Sequence, residues 1–305
     1  MLTVQQKYAD AVVVGFWQKL ARQGLQQAES ELARRYLPPA GPLLDAGCGA
    51  GRAVLALSAQ GYPVTGIDLS LPMLHAGREL AADMPLGGAN LLALPFADDH
   101  FAAALMFFGA LQHLPGRHHR RQALAELARV VRPDGRLLLG LDNLAPALTC
   151  YGYWLRQRIA NSELRITNHE LNSPHSPNSP NPPDSPSADS TLWQRRGHPL
   201  LWHGRGLLRS LRWRSWPGLV DRFRRLAGQP DRAGDVNVAQ FSQPATPGKV
   251  YYHLYRPNEL AADAAAAGWT LLGWHAGSEL TGPKKYPESI RALDKQLFFA
   301  FQKMD

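Results

Sequence analysis

Residues Asp45 to Arg52 read DAGCGAGR and follow the apolar pair Leu43-Leu44. Three glycines alternate with small residues, and an acid stands in front. Glycine lets a backbone approach a ligand closely or turn through left-handed conformations. Alternating glycines alone are weak evidence, so the flanking sequence decides. Upstream, residues 1–40 read as helical, Pro38-Pro39 closes them, and Gly41-Pro42 leads into a short apolar strand, Leu43–Asp45. Downstream, Ala53–Ala59 is almost wholly apolar, as suits a helix packed on a sheet, and Gly61 stops it. The loop therefore joins a strand to a helix.

Further along, the same alternation repeats. Pro63–Asp68 reads as a buried strand, Leu71–Leu80 as a helix, Asn90–Leu94 as a short third strand and Phe101–Phe108 as a fourth. Arg117–Val131 is the next helix, and after the turn Arg132–Arg136 the apolar run LLLGLDN gives a fifth strand. Strand and helix in turn at this spacing predict an α/β fold, with a parallel sheet covered by helices on both faces. Near the end, Arg256–Gly268 reads as an alanine-rich helix, with strands at Trp269–His275 and Gln296–Phe301.

Three readings of the loop compete. In the dinucleotide fingerprint G-x-G-x-x-G, Gly47 and Gly49 fit, but Arg52 stands where the third glycine belongs. A phosphate-binding P-loop is excluded, because no Gly-Lys-Ser/Thr follows. A cofactor with ribose and adenine but no phosphate would still need the glycines, and a cationic one would favour acids. S-adenosylmethionine is such a cofactor. Asp68 ends the next strand about 20 residues on, where a ribose-binding carboxylate belongs.

At this point the sequence resembles the class I S-adenosylmethionine-dependent methyltransferases of the type-11 kind. The residues that carry the likeness are LLDAGCGAGR (43–52), VTGIDLSLPML (64–74), ALPFADDHF (93–101), QHL (112–114) and ELARVVRPDGRLLL (126–139). The resemblance implies a Rossmann-like fold with a seven-stranded, mostly parallel sheet, the last strands coming from about 256–303. It implies that Asp45, Gly47, Cys48, Gly49 and Gly51 surround the methionine end of the cofactor. Asp68 would accept from the ribose hydroxyls, Leu69 would lie on the adenine, Asn90 and Leu91 would border its edge, and Phe108 and Gly109 would face the methyl end. Two positions depart from the pattern: Asn90 stands where an aspartate is common, so its side-chain oxygen would have to meet the adenine amino group, and Ala102 replaces the common acid after Phe101.

A sulfonium methyl is already activated, so transfer requires in-line positioning above all, and a base only for a protonated nucleophile. Candidate substrate-positioning groups are His113 and Asp142; packing and capping are the bland alternatives for both. The run His118-His119-Arg120-Arg121 lacks acidic neighbours and reads as a solvated face, with no metal site. The stretch VYYHLYRPNEL (250–260) resembles a segment of the tRNA wobble-uridine carboxymethyl methyltransferases. That likeness would put Tyr251, Tyr252, His253 and Arg256 in an acceptor pocket.

Composition locates the remaining distinctive segment. The chain has 305 residues and a formal net charge of +8. Residues 151–249 hold 14 Lys/Arg against 7 Asp/Glu, a net +7, so nearly all the excess lies there. The segment reads as an insertion between a methyltransferase domain's two parts, 41–150 and 250–305, behind an N-terminal helical segment, 1–40. Its Ser/Pro/Asn-rich tract at about 172–190 cannot bury enough apolar surface to offset ordering and is expected to be disordered. In Trp193–Leu226, Trp202, Trp213 and Trp216 interleave with arginines, and Leu219, Val220, Phe223 and Leu226 form one helical stripe. A lid over the cleft, an RNA surface and a membrane-surface helix all fit that pattern.

The expected activity is methyl transfer from S-adenosylmethionine to a small or medium organic acceptor. A tRNA methyltransferase and a non-catalytic cofactor-binding module stand as alternatives. Two cysteines give neither a disulfide framework nor zinc spacing, and no signal or membrane-spanning run is evident, so a cytoplasmic protein is expected.

Overall fold

A computed structural model describes residues 3–143, 235–238, 250–283, 285, 291, 294 and 296–304. The Ser/Pro/Asn-rich tract and the Arg/Trp-rich stretch lie outside the described residues, as does Cys150.

The chain opens with three helices, α1 (Val4–Tyr8), α2 (Ala11–Ala21) and α3 (Gln27–Tyr36). Each start is fixed locally. Thr3 and Gln6 exchange hydrogen bonds in a capping box, the Asp10 carboxylate accepts from Val12 and Val13 N–H, and Gln26 pairs with Glu29. The alternating core follows: β1 (Leu43–Ala46), α4 (Arg52–Ser58), β2 (Val64–Asp68), α5 (Leu71–Arg78), β3 (Leu86–Gly88) and β4 (Phe101–Met106). A 3₁₀ turn at Ala110–His113 leads to α6 (Arg117–Val130) and β5 (Val131–Asp142). Within the basic segment 151–249 lies β6 (Asp235–Val238), so the expected insertion holds a strand; β7 (Val250–His253), α7 (Pro257–Ala265), β8 (Trp269–Ala276), α8 (Gly277–Leu280) and β9 (Gln296–Lys303) follow it.

Seven strands form one sheet in the order β3-β2-β1-β4-β5-β9-β8. The first four pairings are parallel, while β9 runs antiparallel to both β5 and β8. Strands β6 and β7 form a separate antiparallel pair. The parallel strands are buried on both faces, which is why β4 reads as an unbroken apolar run. One face packs Leu124, Leu127 and Leu260 of α6 and α7 with Trp269, whose indole N–H donates to the Leu124 carbonyl. The other packs Leu32 of α3 with Val54 and Leu57 of α4.

The third strand differs from expectation. It is Leu86–Gly88, whereas Asn90–Leu94 makes only an isolated bridge between Asn90 and Ala93. The two glycines of LGG hide an edge strand that burial of Leu86 secures. The Asn90 side chain instead turns its own backbone, accepting from Leu92 N–H.

The run 118–121 is also not a solvated face throughout. Arg120 is fully buried. It donates to the Tyr251 hydroxyl at 2.9 Å and lies over the Tyr255 ring. Arg121, with Arg117, pairs with the buried Asp263 of α7, an acid 142 residues away that a local reading does not see.

Candidate functional site

A cavity of about 380 Å³ lies at the carboxyl ends of β1, β2 and β4, where open α/β sheets bind ligands. Its floor is the glycine loop. The Gly47 and Gly49 backbones are left-handed, with φ of 80° and 54°. A Cβ on Gly47 would stand 2.5 Å from Ala110 Cβ, so that glycine is required by packing. A Cβ on Gly49 would meet nothing within 4 Å, so the space before it is open. Gly51 serves another purpose. It caps α4 in a left-handed conformation, and a Cβ there would press into Met84 Sδ at 2.3 Å, away from the cavity lining.

Asp68 is held ready beside the loop. One carboxylate oxygen accepts from Gly49 N–H at 2.9 Å and the other from Ser70 N–H at 2.8 Å. Burial pushes its carboxyl above the usual range, and these N–H bonds offset only part of that rise. Asp45 is more deeply buried. Burial raises its carboxyl to about 7, against the pull of the nearby Arg52 guanidinium. Arg52, the residue that broke the dinucleotide fingerprint, forks onto Glu29 of α3 at 2.5 and 2.6 Å and also donates to the Gly24 carbonyl. Its Cζ lies 4.3 Å from the centroid of the Phe108 ring.

Leu69, Asn90, Leu91, Cys48 and Phe108 join Asp45, Gly47, Gly49 and Asp68 in the cavity lining. The expected cofactor residues therefore converge, with Gly51 and Gly109 set outside the lining. Gly109 has a left-handed backbone, and a Cβ there would also strike the Tyr252 hydroxyl, so glycine is required on both counts. The Asn90 oxygen expected to meet an adenine amino group is already bonded to Leu92 N–H.

The substrate-positioning candidates divide. His113 lines the cavity, buried, with Nε2 3.0 Å from the Tyr8 hydroxyl and Nδ1 3.2 Å from the Tyr251 carbonyl. Burial lowers its pKa to about 4, which keeps the ring neutral. Asp142, Tyr252 and His253 are not in the lining. The Tyr252 hydroxyl sits within hydrogen-bond reach of Gln112 Oε1 and Asp142 Oδ2. Gln112 also donates to the Asp142 and His253 carbonyls and accepts from Asp142 N–H. His253 is fully buried, with Nδ1 on Asp235 and Nε2 on Glu259. Both ring nitrogens are therefore engaged inside the fold, and the YYH stretch supports the wall without facing the cavity.

The N-terminal segment's contribution escaped sequence reading: Thr3, Val4, Gln5 and Tyr8 at α1 and Trp17 of α2 all line the cavity. Aromatic contacts tie them in. Trp17 lies edge-on to Phe108 at 5.3 Å between ring centroids, and Tyr8 edge-on to His113 at 5.5 Å. The Ser70 hydroxyl donates to the Tyr8 carbonyl, pinning α1 beside β2. Sequence offered only a helical N-terminus, with nothing to bring it over the loop. No helix among the described residues is long and apolar enough to cross a membrane.

The arrangement fits S-adenosylmethionine: open space before Gly49, a preset carboxylate at Asp68 and a second acid at Asp45. Comparison with known proteins agrees. Residues 44–139 match the family described as a methyltransferase domain. A demethylmenaquinone methyltransferase of Corynebacterium kroppenstedtii is 37% identical over 121 residues, 40% of this chain and 46% of that protein. A ubiquinone/menaquinone biosynthesis C-methyltransferase of Bordetella avium is 30% identical over 148 residues, 43% of this chain and 56% of that protein. The chain thus spans about half the length of the curated relatives it matches. Among solved structures, the CcbJ methyltransferase of Streptomyces caelestis aligns over 98% of each chain with a TM-score of 0.54 at 16% identity, a likeness of fold.

Proposed function

We propose that this chain, which carries a class I S-adenosylmethionine-dependent methyltransferase domain, transfers a methyl group from that cofactor to a small organic acceptor. One observation carries the reading: the glycine loop, the preset Asp68 carboxylate and the Tyr8–His113 pair border a single cavity. Its volume of about 380 Å³ falls in the range of roughly 300–1,000 Å³ usual for small-molecule sites. When bound, S-adenosylmethionine supplies an electrophilic methyl group on a cationic sulfur.

The residues divide the work. Gly47 and Gly49 let the backbone approach the ligand, Asp68 accepts from the ribose, and the buried acid Asp45 favours positive charge. The α1 and α2 residues Val4, Tyr8 and Trp17 cover the cavity and exclude water. His113 is neutral and held at both nitrogens. It orients Tyr8 and the acceptor, and is not the base that takes a proton. The lining also includes the apolar Leu92, Leu114 and Pro115, which favours an apolar acceptor. Quinol acceptors of the demethylmenaquinone type are the first to try, because both sequence relatives are named for quinone methylation.

The test is direct. Calorimetric titration with S-adenosylmethionine is expected to give saturable binding that Asp68→Ala removes while the fold persists. Methyl-labelled cofactor incubated with lysate fractions should then label small molecules. Label in RNA would favour the tRNA reading, and binding without any transfer would favour a non-catalytic module.

A further inference from the structure

Ser70 opens α5, yet its side chain does not cap it. The backbone is extended there, with φ of −91° and ψ of 102°, as a helix N-cap requires. A serine in that place ordinarily accepts from the N–H two or three residues on, which satisfies part of the helix start. Pro72 has no N–H, so Met73 is the donor such a cap would meet. The Ser70 side chain makes no cap bond. Its hydroxyl donates instead to the Tyr8 carbonyl at 2.8 Å, 62 residues back along the chain. The residue is 5% exposed, so that partner is chosen inside the fold and not among bulk waters.

Both partners of Ser70 belong to the cavity. Its N–H donates to Asp68 Oδ1 at 2.8 Å, while Asp68 Oδ2 accepts from Gly49 N–H at 2.9 Å. Asp68 and Tyr8 each line the cavity. The backbone of Ser70 therefore lies on the carboxylate assigned to the ribose, and its side chain lies on α1. The Tyr8 phenol in turn meets His113 Nε2 at 3.0 Å. One line of contacts runs from the glycine loop through Asp68, Ser70 and Tyr8 to the imidazole.

The helix at the end of that line is suited to respond. α1 has five residues, far fewer than a helix needs to persist alone in water, so its seat depends on the groups that hold it. A ligand in the cavity lies against it, because Thr3, Val4, Gln5 and Tyr8 are in the lining. With α1 seated, the Ser70 hydroxyl forgoes the cap; with α1 displaced, the same oxygen is free to accept from Met73 N–H.

We propose that Ser70 is a positioning residue that couples cofactor binding to the seating of α1. A ribose on Asp68 fixes the Ser70 backbone, the Ser70 hydroxyl holds Tyr8, and Tyr8 is thereby set beside His113 for the acceptor. The inference rests on the proposed use of S-adenosylmethionine. A Ser70 that pins α1 equally in empty and loaded protein is the rival.

Hydrogen exchange separates the two. The Lys7 and Ala9 amides bond within α1 to the Thr3 and Gln5 carbonyls, so their exchange reads the seating of the helix. It is measured with and without saturating S-adenosylhomocysteine, which keeps the ribose and has no methyl to transfer. In wild type the ligand is expected to slow this exchange by about three- to tenfold, the worth of one hydrogen bond. Ser70→Ala removes the hydroxyl and keeps the N–H on Asp68. In that variant the ligand should alter the exchange by less than about twofold, while affinity falls by no more than about tenfold, since coupling is reciprocal. Ser70→Thr keeps a hydroxyl and should restore the slowing. A ligand effect as large in Ser70→Ala as in wild type means that Ser70 only pins the helix, and overturns the proposal. So does a threonine variant that behaves like the alanine one. Should Ser70→Ala not fold, Ser70→Gly suits an N-cap and is read the same way. Calorimetry that finds no binding of S-adenosylhomocysteine to wild type would defeat the cofactor assignment itself, whereas binding that leaves α1 exchange unchanged defeats only the coupling.

Discussion

The phenol oxygen of Tyr8 lies 3.0 Å from Nε2 of His113, and Nδ1 of the same ring lies 3.2 Å from the carbonyl oxygen of Tyr251. A carbonyl can only accept, so Nδ1 carries the hydrogen, and Nε2 accepts from the tyrosine. One imidazole thereby joins the N-terminal helix α1, the 3₁₀ turn after β4, and β7.

Tyr8→Phe removes the donor and leaves Nε2 buried without a partner. The expected loss of stability is about 1–3 kcal/mol, the usual penalty for orphaning one buried polar atom. Urea denaturation of the variant against wild type reads it. A midpoint and slope equal to wild type would mean that α1 does not hold the ring.

His113 also sets an acid limit. Its folded pKa of about 4 lies below the ordinary value of 6.5, so the unfolded chain binds the proton more readily. Its contribution is fully present above about pH 6.5 and is lost as pH falls through about 4. Denaturation measured at intervals from pH 7 to 4 should show this decline, and His113→Gln should flatten it. Because the ring stays neutral throughout, a rate profile between pH 6 and 8 should carry no inflection from His113.

How much of this was legible in the sequence depends on the range of the interactions. The strand–loop–helix around the glycines and the strand ending at Asp68 are local patterns, and the structure brings Gly47, Gly49 and Asp68 to one cavity while Gly51 lies outside its lining. Local reading failed where a partner lay far along the chain. Glu29 gave no sign that it would take Arg52, nor Asp263 that it would take Arg117 and Arg121. Tyr252 and His253 were expected in an acceptor pocket only because the stretch 250–260 resembles a segment of the tRNA wobble-uridine carboxymethyl methyltransferases. In the fold their polar groups face Gln112, Asp142, Asp235 and Glu259. The α1 and α2 roof was invisible because nothing in an amphipathic helix says which surface it will cover.

The Glu29–Arg52 pair gives a third expectation. Both side chains are buried, at 2% and 8% exposure, so removing one charge strands the other. Glu29→Gln and Arg52→Met should each lower stability by about 3–5 kcal/mol. The double variant should lose less than the sum, since no lone charge remains. Additive losses would show that the two charges do not depend on each other. Phe108 loses its guanidinium neighbour in either Arg52 variant, so weaker cofactor binding is expected to accompany both.

Asp45 couples cofactor binding to pH. Burial raises its carboxyl to about 7, with Asp68 and Glu29 pushing in the same direction and Arg52 opposing. A raised acid means that the folded state holds the proton more tightly than the unfolded chain does. Its favourable contribution is therefore present at low pH and declines as pH rises from about 4 through 7. A bound sulfonium and ammonium stabilise the carboxylate and reverse this tendency. Binding near pH 6 should accordingly expel up to about one proton from the site. Affinity should climb as pH rises towards 7 and level off above it. Calorimetry at pH 6 in two buffers of different ionisation enthalpy measures the released proton as a difference in observed heat. Asp45→Asn should abolish both the difference and the climb. Equal heats in the two buffers for wild type would mean that Asp45 is already charged in the empty cavity.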